Sequence, residues 1–484
     1  MRLSKIHSSL STITYGATPL FFIQIFSTLA YSVLYVSLVL FSVQALHLSA
    51  TQANHIMATF VAFNFALHLL GGFLGGRFIS FRGLFLVGLI LQIIGCLFIA
   101  DLSMESFVIG MAFFLAGSGM DLPCMNCMIA QLYHPEDKRR EYAFLWNYSG
   151  MNIGFFIGVA IAGVYQIHQD FRTLFIWTAF ANVLAIVLTL YFWKRLADIK
   201  TQLTEPNISK IRRGIVGLAS IAAAIIILQY VLFYALFTTG IILMTGLLMS
   251  IVVIFLTATR KLPSEKNKLI AYCIFVIASL VFYTLYELIP MALTLFLERN
   301  VNRHILGIHI PTAWFLNINT AIVIFGCPLL AYCTQKLRKK GYQINIPLFF
   351  AIGLTCIGLA IITLPIGIHF SNAQGLIAIQ WPALTYTLLA FAEISLSPIG
   401  YALVGELAPP SLRGILMGSW LLTSGIAAIL SNVFSNLALG VKQSVSPLIS
   451  NPSYSHIFLL LGTCGVMMGI LLFLLRPLLV KLMK

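Results

Sequence analysis

Residues 269–297 read LIAYCIFVIASLVFYTLYELIPMALTLFL, and residues 380–404 read QWPALTYTLLAFAEISLSPIGYALV. Each run is long enough to cross a hydrocarbon core of about 30 Å as a helix. Each also carries one acid, Glu287 or Glu393, and no basic residue. A carboxylate at mid-span costs roughly 2.5–3.5 kcal/mol even on lenient scales, so it usually faces a water-filled cavity and binds a proton, an ion or a substrate amine. The pair points to an all-α polytopic membrane protein that works as a transporter.

The rest of the chain has the same character. Of 484 residues, 60% are hydrophobic and 9% charged, and the mean hydropathy is +0.97. Fourteen spans are expected, near 17–46, 52–76, 83–101, 105–131, 143–166, 172–193, 214–237, 240–259, 269–297, 311–334, 344–367, 380–404, 413–439 and 455–478. Basic linkers flank the seventh and eighth. The expected division is therefore an N-terminal six-helix bundle (1–193), linkers with an inserted helix pair (194–268) and a C-terminal six-helix bundle (269–484). Arg2 and Lys5 precede an apolar stretch at 19–46 that is too long for the core of a cleavable signal, so it reads as the first span.

The net charge of +15 raises a nucleic-acid reading, which its distribution excludes. With the N-terminus inside, 25 of the 29 Lys and Arg fall in inside segments, leaving Arg172, Arg299, Arg303 and Lys442 outside. Lys and Arg concentrate on the cytoplasmic side of membrane proteins, so both termini are expected there, in a bacterial inner membrane. Cys124 and Cys127 form a CxxC with no second ligand pair nearby, and no metal or other cofactor is expected. The sequon Asn207-Ile-Ser209 falls in a cytoplasmic linker and is discounted. No Gly-x-x-x-x-Gly-Lys-Ser/Thr loop is present, and no Ser/His/Asp cluster marks an enzyme.

The two halves echo each other. Pro123, Gln131-Leu132 and Pro135 recur as Pro398, Glu406-Leu407 and Pro410 at the same spacing, and Ser149-Gly150 recurs as Ser424-Gly425. Repeats of like orientation describe the two halves of a major facilitator transporter.

Several segments resemble the proton-coupled oligopeptide transporter family of the major facilitator superfamily. They are Tyr286-Glu287 with Leu293-Thr-Leu-Phe296, Glu298-Arg-Asn-Val301 and Ile310-Pro-Thr-Ala-Trp-Phe315; Glu393-Ile-Ser-Leu-Ser-Pro398 running on to Glu406-Leu-Ala-Pro409, Arg413-Gly414 and Met417-Gly-Ser-Trp420; Arg139-Arg140 through Tyr148-Ser-Gly-Met-Asn152; and Gly71-Gly72-Phe-Leu-Gly-Gly-Arg77. The resemblance covers nearly the whole chain and implies proton-coupled carriage of di- and tripeptides. It implies that Glu393 meets the substrate amine, that Glu287 handles the proton, and that Asn319, Asn152, Tyr31, Tyr148 and Trp420 lie near the substrate.

The departures are as specific. The family's first span carries Glu-x-x-Glu-Arg-Phe-x-Tyr-Tyr, where this chain has Gln24-Ile-Phe-Ser27-Thr28-Leu29-Ala30-Tyr31-Ser32. A further family arginine is Tyr35, and the span-four lysine falls on Leu122. The first half thus lacks the family's cations for a peptide carboxylate.

Each candidate has a plainer alternative. Glu287 and Glu393 are either cavity groups or protonated acids donating one hydrogen bond inside the bundle. Asp121, two residues before Pro123, either takes part in proton coupling or caps carbonyls freed by the proline. Asn319, Asn152, Tyr31, Tyr148 and Trp420 either line the cavity or join helices. The leading expectation is a monomeric, proton-coupled carrier of di-/tripeptides or related amine-bearing solutes, in contact with lipid and not with nucleic acid. The alternatives are an uncoupled facilitator, a carrier of a non-peptide cation, or a solute sensor that does not transport.

Overall fold

Apolar runs of this length have one way to satisfy their backbone in lipid, by bonding within the segment as helices. The computed structural model shows α1 (Arg2–Gln44), α2 (Ala50–Leu74), α3 (Phe81–Ile99), α4 (Met104–Gln131), α5 (Lys138–Ile167), α6 (Phe171–Tyr191), α7 (Lys210–Phe233), α8 (Ala235–Thr259), α9 (Pro263–Tyr286), α10 (Thr294–Asn300), α11 (Ala313–Lys339), α12 (Ile346–His369), α13 (Gln380–Leu407), α14 (Arg413–Ala438) and α15 (Pro447–Leu482). Between them run the short strands β1 (Val301–Asn302), β2 (His304–Ile305), β3 (Ile308–His309) and β4 (Ile377–Ala378). The structure describes residues 2–133, 137–199, 201–205, 209–305, 307–341, 345–409, 412–440 and 445–483, without the side chains of 2–16, 235–238 and 397–399 among others. Pro135, Pro410, Asn207, Ile208 and Lys442 lie outside the described residues, and the side chain of Pro398 is not described.

Each expected span coincides with a long helix, the ninth with α9 and α10 together. Among the described residues, thirteen segments are long and apolar enough to cross a membrane. The 28-residue α13, which holds Glu393, completes the set. The chain is a multi-pass membrane protein. The largest boundary differences are at α1, which begins at Arg2 rather than near 17, and at α15, which begins at Pro447 rather than near 455, because each helix continues past its apolar run. Side chains at the loop ends start several helices, with Ser80, Ser103, Asp170 and Asn345 each accepting a bond from a backbone N–H of the first turn.

The contacts divide the chain into two compact units. One joins Met1–Ser37 to Phe63–Tyr234, and the other joins Leu38–Ala62 to Ala235–Lys484. This division differs from chain order in two places. The end of α1 and the first half of α2 group with the second unit, where Asn54 donates to Asn436 at 2.9 Å. The inserted pair is parted between the units, with α7 packing on α4 in the first and α8 packing on α14 in the second.

Without a hydrophobic drive between helices in lipid, close approach through small residues does the packing. In the first unit Gly117 of α4 lies directly against the backbone of Gly88 on α3. In the second, a Cβ on Gly358 of α12 would stand 2.5 Å from the backbone nitrogen of Val466 on α15. Both seams need glycine. The repeat is visible in length as well, since α4 and α13 each have 28 residues with a proline in the last third or near it, Pro123 and Pro398.

Candidate functional site

The site in the second unit starts from a break in a helix. Pro290 has no N–H to give and its ring crowds the carbonyl four residues back, so a helix cannot run through it unchanged. Here α9 stops at Tyr286, Glu287 follows as its cap, and residues Ile289–Leu293 form a π turn before α10. The turn is held by the N–H of Leu293 to the carbonyl of Leu288 at 2.9 Å and by the Thr294 hydroxyl to the carbonyl of Ile289 at 2.8 Å. Such turns recur at functional sites. Glu287 sits at this break with 4% of its surface exposed, and its N–H bonds the carbonyl of Tyr283 at 2.9 Å.

One residue earlier, the Tyr286 hydroxyl donates to Glu393 Oε2 of α13 at 2.8 Å. The Tyr286 ring stacks on Phe282 at 6.0 Å, which fixes the direction of the hydroxyl. Asn319 of α11 lies against the same carboxylate, while its amide nitrogen is buried without a hydrogen-bond partner of ordinary length and angle. The groups acting on Glu393 are thus a phenol and an amide, and neither is a cation. Beside it, Val323 of α11 packs on Ala390 and Ile394 of α13, with Cys327 at the edge of the cluster. Three helices therefore hold one carboxylate, one phenol and one amide together. A carboxylate so placed can accept a bond from an ammonium, and the adjacent amide can donate to a carbonyl.

Trp420 of α14 is placed differently. Its indole is 2% exposed, packs near Tyr272 and Phe350 at 6.4 and 6.5 Å between ring centroids, and lies over Gly400 of α13. These contacts are those of a core residue.

In the first unit the expected residues lie on α1 and α5. Tyr31 and Tyr35 are 5.9 Å apart between rings, and Tyr35 meets Phe155 of α5 at the same distance. Asn152 turns its amide back onto the carbonyl of Tyr148 at 2.9 Å. Beneath them Asn147 donates to Gln24 at 3.1 Å and Gln24 to Thr28 at 2.7 Å. The stretch where the family has two acids and an arginine therefore holds a neutral chain of amides and a hydroxyl that bond one another. Asn147 was not among the residues expected at the site, although an asparagine within a span is a signal of interhelical bonding.

Asp121 of α4 faces α3. Gln92 donates to its Oδ2 at 2.5 Å, and Asn182 of α6 reaches Gln92 at 3.5 Å. The other oxygen, Oδ1, is buried beside Gly88 with no hydrogen-bond partner. The acid thus joins α3 and α4, and the single glutamine of the third span, Gln92, is the partner that sequence reasoning passed over.

Comparison with known proteins accords with this architecture. The profile of the POT family matches residues 78–450, more than half of the chain. Dipeptide and tripeptide permease A of Klebsiella pneumoniae (strain 342) is 27% identical over 463 residues, covering 95% of this chain and 91% of that protein. The crystal structure of the peptide transporter POT in complex with sulfate superimposes with a TM-score of 0.82 at 24% identity, over 97% of this chain and 96% of the other. That of a POT family transporter in complex with 5-aminolevulinic acid gives 0.82 at 22% identity, over 96% of each. At these identities the structures bear on the fold, which is that of the major facilitator type. The chain belongs to the POT family: it is a transporter and not an enzyme.

Proposed function

We propose that this protein carries di- or tripeptides or related amine-bearing solutes together with protons, by alternating access of its two halves, as a monomer in a bacterial inner membrane with both termini cytoplasmic. Relatives named for dipeptide and tripeptide permeation support the solute class, as does a family neighbour holding 5-aminolevulinic acid, itself an amine. The observation that carries the reading is the Glu393 carboxylate, gripped by Tyr286 and flanked by the amide of Asn319, with no cation acting on it. Glu393 accepts the substrate ammonium, and Asn319 donates to the peptide carbonyl. Glu287, at the helix break next to Tyr286, carries the proton, so protonation there and substrate binding at Glu393 act on adjoining residues. Tyr31, Tyr148 and Asn152 are the substrate-binding residues of the first unit, on α1 and α5. Trp420 supports the bundle rather than the solute, and Asp121 ties α3 to α4.

The test compares a free-amine dipeptide with its N-acetylated form. A charge-assisted bond of about 1.5–3 kcal/mol corresponds to roughly 10- to 100-fold in affinity. Glu393→Gln is expected to weaken the free-amine peptide by that factor and the blocked one far less. Equal weakening of both removes the assignment.

A second reading rests on the first unit. Where the family places cations for a peptide carboxylate, this chain has Thr28, Tyr35 and Leu122. A site without those cations favours cationic or carboxylate-poor solutes. A dipeptide that binds much better than its C-terminal amide would overturn this reading.

A further inference from the structure

The outer connection between α10 and α11 carries chemistry that solute carriage does not use. β2 and β3 form an antiparallel ribbon in which His304 stands directly opposite His309. The two rings are 4.5 Å apart between centroids, and His309 Nδ1 lies 3.1 Å from His304 Nε2. His304 is exposed and His309 half-buried, on a loop outside the membrane spans.

Two imidazole nitrogens bound to one metal ion at about 2.0–2.1 Å stand roughly 2.9–3.3 Å apart for angles between a right angle and the tetrahedral value. The observed separation lies inside that window. The two facing nitrogens share a hydrogen bond, one donating and one offering a lone pair, and an ion bound by both would displace the shared proton. Burial, helped by the charges of Arg303 and His304, holds His309 below its ordinary range, against the opposing pull of Glu298. Arg303 is itself committed, pairing with Glu298 at 3.0 Å and donating to the carbonyls of Ile310 and Glu298. That commitment anchors the ribbon, as does the pairing of β1 with β4. The two rings are therefore held near chelating distance by the backbone before any ion arrives.

We propose that His304 and His309 form a two-histidine chelate for a late divalent transition metal, Cu2+ or Zn2+, on the outer face of the protein. Nitrogen donors of this kind bind Cu2+ more tightly than Zn2+. Among the described residues no third His, Cys, Asp or Glu joins the pair, so the remaining positions belong to water and the binding is reversible. A bound ion would cross-link β2 to β3 and stiffen the connection into α11, the helix that carries Asn319.

The experiment uses the full-length, tag-free protein in detergent and CuCl2 or ZnCl2 as the probe. Electron paramagnetic resonance of added Cu2+ should show one equivalent with two-nitrogen coupling, and calorimetry one matching Zn2+ site. His304→Ala and His309→Ala should each weaken that site by about tenfold or more. Melting in chelator, unchanged between wild type and variants, separates loss of the site from loss of the fold. Acidification from pH 7 to pH 5 should release the ion from the wild-type protein, because both rings must be neutral to bind. Retention of the two-nitrogen signal in either variant, or one-nitrogen coupling in the wild type, would overturn the proposal.

Discussion

The polar clusters on α1/α5 and on α9/α13 differ in charge. On the first, Gln24, Thr28 and Asn147 bond one another and Asn152 bonds its own helix, all through neutral groups. On the second, a carboxylate is held by a phenol with an amide against it, and neither is a cation. A chain of neutral bonds contributes to folding whether or not a ligand is present, whereas a carboxylate without a cation gains a charge-assisted bond when an ammonium arrives. The two bundles repeat one pattern of sequence, and their polar clusters differ in the bonds they make rather than in the fold.

That contrast can be broken by mutation. The largest effect is expected at Glu287, if proton handling belongs to the acidic side alone. In proteoliposomes Glu287→Gln should abolish accumulation driven by a pH gradient while leaving exchange of labelled for unlabelled solute. Intact pH-driven uptake in the variant would move the coupling elsewhere. Tyr286→Phe comes next. It removes one bond to a carboxylate, about 1.5 kcal/mol, so solute affinity should change by roughly tenfold, and an unchanged affinity would show that the phenol does not shape the site.

Smaller effects are expected on the neutral side. Gln24→Ala should change solute affinity by less than about fivefold, or 1 kcal/mol, because its bonds are internal to the unit. It should instead lower the melting temperature, since Asn147 is left with a buried, unpaired amide. A loss of affinity as large as that of Glu393→Gln would put the two sides on an equal footing. Asp121→Asn is expected to be the mildest, because an amide can still bond Gln92, and unaltered pH-driven uptake would accord with its place against α3.

Much of the candidate site could be read along the chain, because an acid inside an apolar span stands out against its neighbours. Glu287 and Glu393 needed only their own runs for that. Trp420 and Asp121 could not be placed in this way, because a residue's position in or near a motif says nothing of which neighbour the side chain meets. Tyr286 stood in a quoted motif, yet its role appeared only with its bond to a residue 107 positions away. The break after α9 was legible in principle from Pro290, but a proline within a span kinks or stops a helix according to what packs around it.

What the sequence by itself determined is the run of apolar spans and most of their limits to within a few residues. Those follow from transfer of local segments into lipid, where each run of about twenty residues is judged by its own composition. Only the tertiary structure decided that Glu393 meets Tyr286 and Asn319, that Asp121 turns to Gln92, and that α7 and α8 belong to different units. Hydrogen bonds between helices depend on rotation and crossing to within an ångström, and those are set by the glycine seams and side-chain volumes of several segments at once.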